Sequence, residues 1–109
     1  MPLTLPSPIA AFFAAESRDG GAVAACFTDQ GVVMDEGHTH VGHAAIAAWK
    51  TAASSQYDYT STPVALASDA DGRIVVTSHV IGNFPGSPVD LRYAFVLAGD
   101  KIARLEIAP

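Results

Sequence analysis

Three clusters of turn-forming residues divide the C-terminal half of this chain into four stretches of strand-like sequence. Asp, Gly and Pro dominate the clusters, and each of these residues favours turns for its own backbone reason. The clusters are residues 69–72, 83–88 and 98–100. The stretches around them are rich in β-branched and aromatic residues, which predicts strands. The predicted strands are residues 57–67, 73–81, 89–97 and 101–107.

The beginning of the chain shows a helical pattern instead. Ser7-Pro8 is typical of a helix start, with Ser7 as the N-cap and Pro8 at the first helical position. The helix predicted over 9–16 has apolar side chains at positions i, i+3 and i+4, which lie on one face. These side chains are Ile9, Phe12 and Phe13.

Two further helices and one strand are predicted before the four C-terminal strands. A short helix over 22–27 is followed by a turn at 28–31 and a strand over 32–36. The segment 37–42 has a glycine at each end and is predicted to be a polar loop. An Ala-rich helix over 43–54 follows, with apolar residues spaced to face a core.

The order helix, helix, strand, helix and then four strands predicts an α+β fold. We expect a cone-shaped, curved antiparallel sheet packed on the N-terminal helices and one long helix, because strands joined by short turns twist strongly. At 109 residues, the chain (1–109) fits a single domain. Curved sheets of this kind commonly hold a small-molecule pocket in their mouth.

Charge and cysteine content exclude several classes of function. The net charge is −5 and the six Lys and Arg residues are scattered singly, so neither nucleic acid nor a membrane surface is an expected partner. The apolar run near 5–15 is too short to span a bilayer. The single Cys26 allows no intrachain disulfide, which is typical of the reducing cytoplasm.

The low content of charged residues predicts self-association. Half of the residues (50%) are apolar and only 16% are charged, so polar side chains cannot cover the whole surface. Exposed apolar surface of this kind commonly meets a partner. The simplest partner is a second copy, and we expect a homodimer.

Two motifs carry a resemblance to a known family. The first is Phe27–Asp35, in which an aromatic residue precedes an acidic turn and a short strand. The second is Val41–Ile46, a glycine followed by a helix start with an Ala-Ile pair, with Trp49 further along that helix. Together they resemble the SnoaL-like branch of the nuclear transport factor 2-like, or ketosteroid isomerase-like, superfamily. The resemblance extends over nearly the whole chain.

The resemblance implies a shared cone that serves isomerases, cyclases, dehydratases, epoxide hydrolases and non-catalytic binding proteins, so the fold alone does not fix the chemistry. In ketosteroid isomerase a general-base Asp follows the same motif, and Asp35 matches that position. The isomerase's two oxyanion donors, a first-helix Tyr and a late-strand Asp, correspond to about Ala11 and Tyr93. Ala11 cannot donate a hydrogen bond, whereas Tyr93 can.

Asp35 and Tyr93 are therefore the first candidate catalytic residues. Asp35 ends an apolar strand, and a carboxylate facing an apolar cavity would be a usable general base. The alternative is a strand end in solvent. Tyr93 shares a strand face with Leu91 and Phe95, and its hydroxyl could donate to a developing oxyanion. The alternative is a core tyrosine with its hydroxyl at the surface.

His38 and His40 are candidate catalytic residues of a different kind. Their i, i+2 spacing places both side chains on one side of an extended segment, in phase with Glu36. Three such ligands could hold a divalent metal, but the spacing is short and a fourth ligand is not evident. We favour histidines at the rim of the cone that exchange protons near neutral pH, and we expect no metal.

Four further residues are candidates for binding a substrate. Phe13 and Trp49 could form the floor of a cavity for a hydrophobic ring compound, while His79 and Phe95 lie on predicted strands. Each has a structural alternative, because aromatic residues at regular spacing are mostly core and buried histidines usually bond a neighbouring strand.

These residues support three hypotheses of function. The first is an isomerase, cyclase or lyase that acts on a small hydrophobic carbonyl compound with Asp35 as general base. It needs no cofactor, since the sequence has no glycine-rich phosphate loop. The second is a non-catalytic ligand-binding or dimerisation module of the same fold. The third is epoxide hydrolase-like activation of water, which would require Arg92 to enter the cavity beside an aspartate.

Overall fold

The computed structural model describes residues 4–109. In this part of the chain three helices and six strands form one layered α+β unit. In chain order they are α1 (Ser7–Ala15), α2 (Gly20–Ala24), β1 (Phe27–Asp35), β2 (His38–Val41), α3 (His43–Gln56), β3 (Tyr59–Ser68), β4 (Ile74–Gly82), β5 (Val89–Ala98) and β6 (Lys101–Ala108). The four predicted C-terminal strands are confirmed to within two residues at each end.

The first helix begins one residue earlier than predicted. Pro6 is its N-cap, and Ser7 is already helical and makes no capping hydrogen bond, so the prediction of Ser7 as the N-cap was wrong. Pro8 lies in the first turn, where a missing backbone N–H is tolerated. Ile9 and Phe12 are fully buried, which confirms the predicted apolar face.

The segment 37–42, predicted as a loop, contains an additional strand. Residues His38–Val41 form β2, which pairs antiparallel with β1, with Asp35 opposite His38. Glu36 and Gly37 connect the two strands and both have positive φ values, 52° and 76°. Positive φ at both central residues is the geometry of the tight hairpin turn that matches strand twist.

The first strand is also longer than predicted. It begins at Phe27, and the predicted turn at 28–31 is a register irregularity inside it. A side chain at Gly31 would come within 2.8 Å of the Phe27 side chain, so glycine is required where the strand bends over that ring. The strand ends at Asp35, one residue before the predicted end.

The six strands form one sheet in the order β2-β1-β6-β5-β4-β3. Four of the five pairings are antiparallel, as predicted. The pairing of β1 with β6 is parallel, so the sheet is mixed. The last strand returns from the meander beside the first one, which joins the two halves of the chain.

The core lies between the helices and the inner face of this curved sheet. Burial alternates along β4, where Val76, Ser78 and Val80 are buried, and along β5, where Tyr93 and Phe95 are buried. These side chains share one face of the sheet. Val76, Tyr93 and Phe95 pack with buried residues of the helices and of the remaining strands, among them Ile9, Phe12, Val23, Phe27, Val33, Ile46, Ile102 and Leu105. The predicted cone with helices on one face is confirmed.

Within residues 4–109, every helix is too short or too polar to cross a bilayer.

Candidate functional site

A cavity of about 480 Å³ opens between the inner face of the sheet and α3. Its walls are largely apolar, from Val80, Phe84, Pro85, Val89, Leu91 and Ile107 together with Trp49 and Ala53 of α3. Its polar lining residues are Glu16, Asp35, Glu36, Lys50, Tyr57, Tyr59 and Tyr93. A cavity of this size with few polar groups in apolar walls is typical of a small-molecule site.

Asp35 lies at the end of β1 and lines the cavity, where the sequence placed a candidate base. Its Oδ2 accepts a hydrogen bond of 3.1 Å from the indole Nε1 of Trp49, on α3. Within residues 4–109 its other oxygen, Oδ1, has no hydrogen-bond donor. The carboxylate is thus oriented through one oxygen, which leaves the other available to a ligand.

Tyr93 lines the same cavity from β5 and is only 3% exposed. Burial raises the pKa of its phenol, and the nearby negative charges of Glu16 and Asp35 raise it further. The hydroxyl therefore remains protonated at neutral pH and can donate a hydrogen bond. Glu16 and Asp35 both line the same cavity as Tyr93.

A buried cluster of Glu16, Lys50 and Tyr59 forms another part of the lining. Lys50 is 2% exposed, and its Nζ donates to Glu16 Oε2 at 2.8 Å and to the Tyr59 hydroxyl. Burial raises the pKa of Glu16, and the attraction of Lys50 offsets only part of that effect. Burial opposes the charge on Lys50, but Glu16 and the hydrogen bonds to Glu16 and Tyr59 outweigh it and raise its pKa. Lys50 is therefore held as a cation.

Sequence reasoning missed this cluster. In the sequence, Glu16 resembles a solvated residue at a helix end. Lys50 resembles a residue on the exposed face of an Ala-rich helix. A signal was present, because Lys50 follows Ile46 by four residues and the two share a helix face. Ile46 is fully buried, so a lysine on the same face needs a buried partner.

His38 and His40 lie outside the main cavity, in an adjoining recess of about 330 Å³ that shares Asp35, Glu36 and Trp49 with it. The His38 Nδ1 donates to the backbone carbonyl of Glu36 at 3.1 Å, and the His40 ring lies 6.0 Å from that of Trp49. Within residues 4–109, no three His, Cys, Asp or Glu side chains converge as metal ligands would. The geometry thus places both histidines at the rim and does not support a metal site with Glu36.

Of the residues predicted to bind substrate, only Trp49 lines the main cavity. Phe95 points inward but packs against α1, with its ring 5.6 Å from that of Phe12. Phe13 packs on the same core cluster. His79 lies on the outer face, where its Nδ1 is 2.7 Å from Asp90 Oδ1. Ligand contacts of Phe13, His79 and Phe95 stay predictions, and the positions of these side chains do not favour them.

Arg92 is not among the residues that line the cavity. It lies on the outer face of β5, and its Nη2 donates to the carbonyl oxygen of Pro109 at 3.3 Å. The aspartate–arginine pair that the epoxide hydrolase hypothesis required is therefore absent from the cavity formed by residues 4–109.

Solved structures with the same fold are similar to this chain over nearly its full length. A proposed polyketide cyclase from Sinorhizobium meliloti is 39% identical, with 95% of each chain covered and a TM-score of 0.88. A protein from Catenulispora acidiphila with a ketosteroid isomerase-like fold, in complex with trimethylamine, is 19% identical. The match covers 97% of this chain and 87% of that one, with a TM-score of 0.83. A proposed polyketide cyclase from Pseudomonas putida is 20% identical, with 98% and 92% covered and a TM-score of 0.72.

No protein of curated function matches the chain. The family model for the SnoaL-like domain matches residues 9–105, which include α2, α3 and most of α1 and of every strand. The resemblance seen in the motifs around Asp35 and Gly42 thus extends over the whole fold. The chain belongs to the SnoaL-like domain family.

Proposed function

We propose that the cavity binds a small hydrophobic carbonyl compound and that Asp35 acts on it as a general base. The observation that carries this proposal is the orientation of Asp35, with Oδ2 held by Trp49 and Oδ1 free at the cavity. A base must reach the proton it removes, and an oxygen without a donor on a cavity-lining residue supports this role. The reaction would be an isomerisation, cyclisation or elimination.

The step begins at the carbon next to the ligand's carbonyl. Asp35 Oδ1 takes a proton from that carbon. The electron pair of the broken C–H bond forms a C=C bond to the carbonyl carbon, and the π electron pair of the carbonyl moves to its oxygen. Tyr93, kept neutral by its burial, donates a hydrogen bond to the resulting enolate oxygen. In the isomerisation of a β,γ-unsaturated ketone, Asp35 then returns the proton to the far carbon of the dienolate. In a cyclisation the enolate carbon would attack a second carbonyl carbon of the ligand, whose π electron pair moves to its oxygen and takes up the proton from Asp35.

Exchange of α-hydrogens for deuterium measures the first step without knowledge of the natural substrate. We would follow this exchange by NMR in heavy water for 2-tetralone and related cyclic ketones. The wild type should accelerate exchange over buffer, and Asp35→Asn should lower the acceleration by about 100-fold or more, as expected for loss of a general base. Asparagine keeps an oxygen that can accept from Trp49.

Asp90→Asn is the matched control, because Asp90 lies on the outer face beside His79. It should exchange at the wild-type rate. Exchange at the buffer rate with every ketone, or equal rates in Asp35→Asn and wild type, would contradict the general-base role.

The alternative, a non-catalytic binding module, is favoured by one observation. The position matched to the isomerase's first-helix donor, Ala11, is an exposed alanine, so that donor is missing. A ketone that raises the melting temperature but neither exchanges nor turns over would support this alternative.

We further propose that two copies of the chain pair through the outer face of the sheet. Within residues 4–109 all three helices pack on the inner side, and Ile81 and Val96 are exposed on the other. The same face carries both charge signs, with Asp90 near His79 and Glu106 paired to Arg73. Such a face is suited to a copy of itself.

We also propose a cytoplasmic location, which the unpaired Cys26 supports.

A further inference from the structure

One carboxylate oxygen of the buried cluster has no hydrogen-bond donor. Glu16 lines the cavity and its side chain is only 10% exposed. Its Oε2 accepts from Lys50, but its Oε1 is buried and has no partner within residues 4–109. Buried polar atoms are nearly always hydrogen-bonded, so an unpaired acceptor in a cavity wall indicates a missing donor.

A hydroxyl proton in the same cluster lacks an acceptor. An ammonium group can only donate, so Lys50 is the donor in its hydrogen bond with Tyr59 and the tyrosine oxygen accepts. The phenolic proton of Tyr59 is left free, and no acceptor for it lies within hydrogen-bond reach among residues 4–109. Tyr59 also lines the cavity, so this proton is available to a ligand.

Glu16 therefore offers a free acceptor and Tyr59 a free donor. Both side chains are oriented by hydrogen bonds from the same Lys50 nitrogen. Because Glu16 and Tyr59 bind the same nitrogen, they lie next to each other in the cavity lining. A carbonyl oxygen can only accept and an ammonium can only donate, whereas a hydroxyl does both. We infer that Glu16 and Tyr59 form a binding site for a hydroxyl group of the ligand, which donates to Glu16 Oε1 and accepts from the Tyr59 hydroxyl.

This inference rests on the proposed function, since it assumes that the cavity binds a small apolar ligand. It narrows the ligand class to a hydroxylated ring compound with a carbonyl group. The carbonyl end lies toward Asp35 and Tyr93, and the hydroxyl lies at Glu16 and Tyr59. Lys50 acts as a positioning residue, because its hydrogen bonds orient both groups.

Three probes on one ring system test the site. These are 2-naphthol, 2-methoxynaphthalene, which lacks the donor, and naphthalene, which lacks the oxygen. Kd values would be measured by calorimetry and by probe fluorescence. The wild type should bind 2-naphthol at least about tenfold more tightly than either comparator, because a group left unpaired in a buried site costs affinity.

Variants assign that preference to the cluster. Tyr59→Phe should weaken 2-naphthol binding by about tenfold and leave the binding of naphthalene, which has no oxygen for Tyr59, unchanged. The double variant Glu16→Leu with Lys50→Met removes the acceptor together with its cation, and it should have the same effect without leaving a lone buried charge. Thr60→Val is the matched control on the exposed side of the same strand and should bind all three probes as the wild type does.

The outcomes separate this inference from the proposed function. If wild type binds all three probes equally, the hydroxyl site is wrong although the cavity binds apolar ligands. If the preference survives in Tyr59→Phe and in the double variant, the hydroxyl binds elsewhere and the assignment is wrong. If none of the probes binds, the proposed small-molecule cavity fails together with this inference. The comparison in wild type needs no variant, so a variant that does not fold leaves the test intact.

Discussion

Lys50 has its charged nitrogen inside the protein, at 2% exposure, with Glu16 as its counter-ion. A buried ion pair adds little net stability, but removal of one partner leaves the other as an uncompensated buried charge. We expect Lys50→Met to lower the free energy of unfolding by about 3–5 kcal/mol, because the Glu16 carboxylate remains buried without its cation. Urea unfolding followed by circular dichroism measures the change.

The double variant Glu16→Gln with Lys50→Met is the control for that substitution. Since both charges are removed, its stability should lie well above that of Lys50→Met, with a strong coupling between the two sites. A double variant as unstable as the single one would show that Lys50 stabilises the fold through its aliphatic chain rather than through Glu16.

At the residue scale, sequence reasoning was most successful where strand phase and the family motif agreed. Asp35 and Tyr93 were both placed toward a cavity, and both line it. Glu16 and Lys50 were missed because they lie 34 residues apart in sequence. Their pairing depends on how α1 and α3 are positioned against each other, which local patterns do not contain.

At the element scale, the contact between α2 and α3 depends on one residue without a side chain. A Cβ at Gly20 would lie 2.4 Å from the carbonyl oxygen of Ala47 and 2.6 Å from Thr51 Oγ1. The first of these atoms is backbone and cannot rotate away. We expect Gly20→Ala to destabilise the protein by about 1–3 kcal/mol, the usual cost of overpacking. A shift of the urea unfolding midpoint to lower concentration measures this change.

Gly21→Ala is the matched control in the same short helix. A Cβ there would meet only Asp19 Oδ1, at 3.3 Å, and alanine favours helix over glycine by about 1 kcal/mol. Its stability should equal or exceed that of the wild type. If Gly20→Ala and Gly21→Ala destabilise the protein equally, the effect comes from the helix itself and not from its contact with α3.

The short β2 strand shows which elements local patterns fail to predict. His38–Val41 has four residues, and two of them are histidines with little strand preference. The strand exists because the Glu36-Gly37 turn folds it back onto β1. Glu-Gly is not among the strong hairpin dipeptides, so the turn was not recognised. The two longer helices and the four C-terminal strands were predicted, whereas α2 is Gly20–Ala24 and not the predicted 22–27, and Phe27 belongs to β1.

At the scale of the whole molecule, the parallel pairing of β1 with β6 was the feature least accessible to sequence. Periodicity shows which residues of a strand point inward, but it does not show which strand lies alongside. The pairing spans most of the chain, as Asp35 lies opposite Ile107. It also brings Ile107 into the cavity beside Asp35. Completion of the cavity wall therefore depends on the final strand.

The proposed homodimer forms through the outer face of the sheet. Val96 is 37% exposed on this face, in phase with Ala94 and opposite in direction to the buried Phe95. In the proposed homodimer it would be buried against the second copy, where a lysine would place an unpaired charge in the interface. We expect Val96→Lys to reduce the mass in sedimentation equilibrium from twice the chain mass to the chain mass, with the fold of each chain retained.

Ala10→Lys is the control for this substitution, because Ala10 is exposed on α1, on the side of the molecule opposite the sheet. It adds the same charge and should leave the dimer intact. A wild type that sediments as a single chain would contradict the homodimer, and a Val96→Lys variant that remains a dimer would assign the interface to another face. Since Asp35 and Lys50 lie on the inner side, monomeric Val96→Lys should retain ketone exchange, which would separate assembly from the chemistry of the cavity.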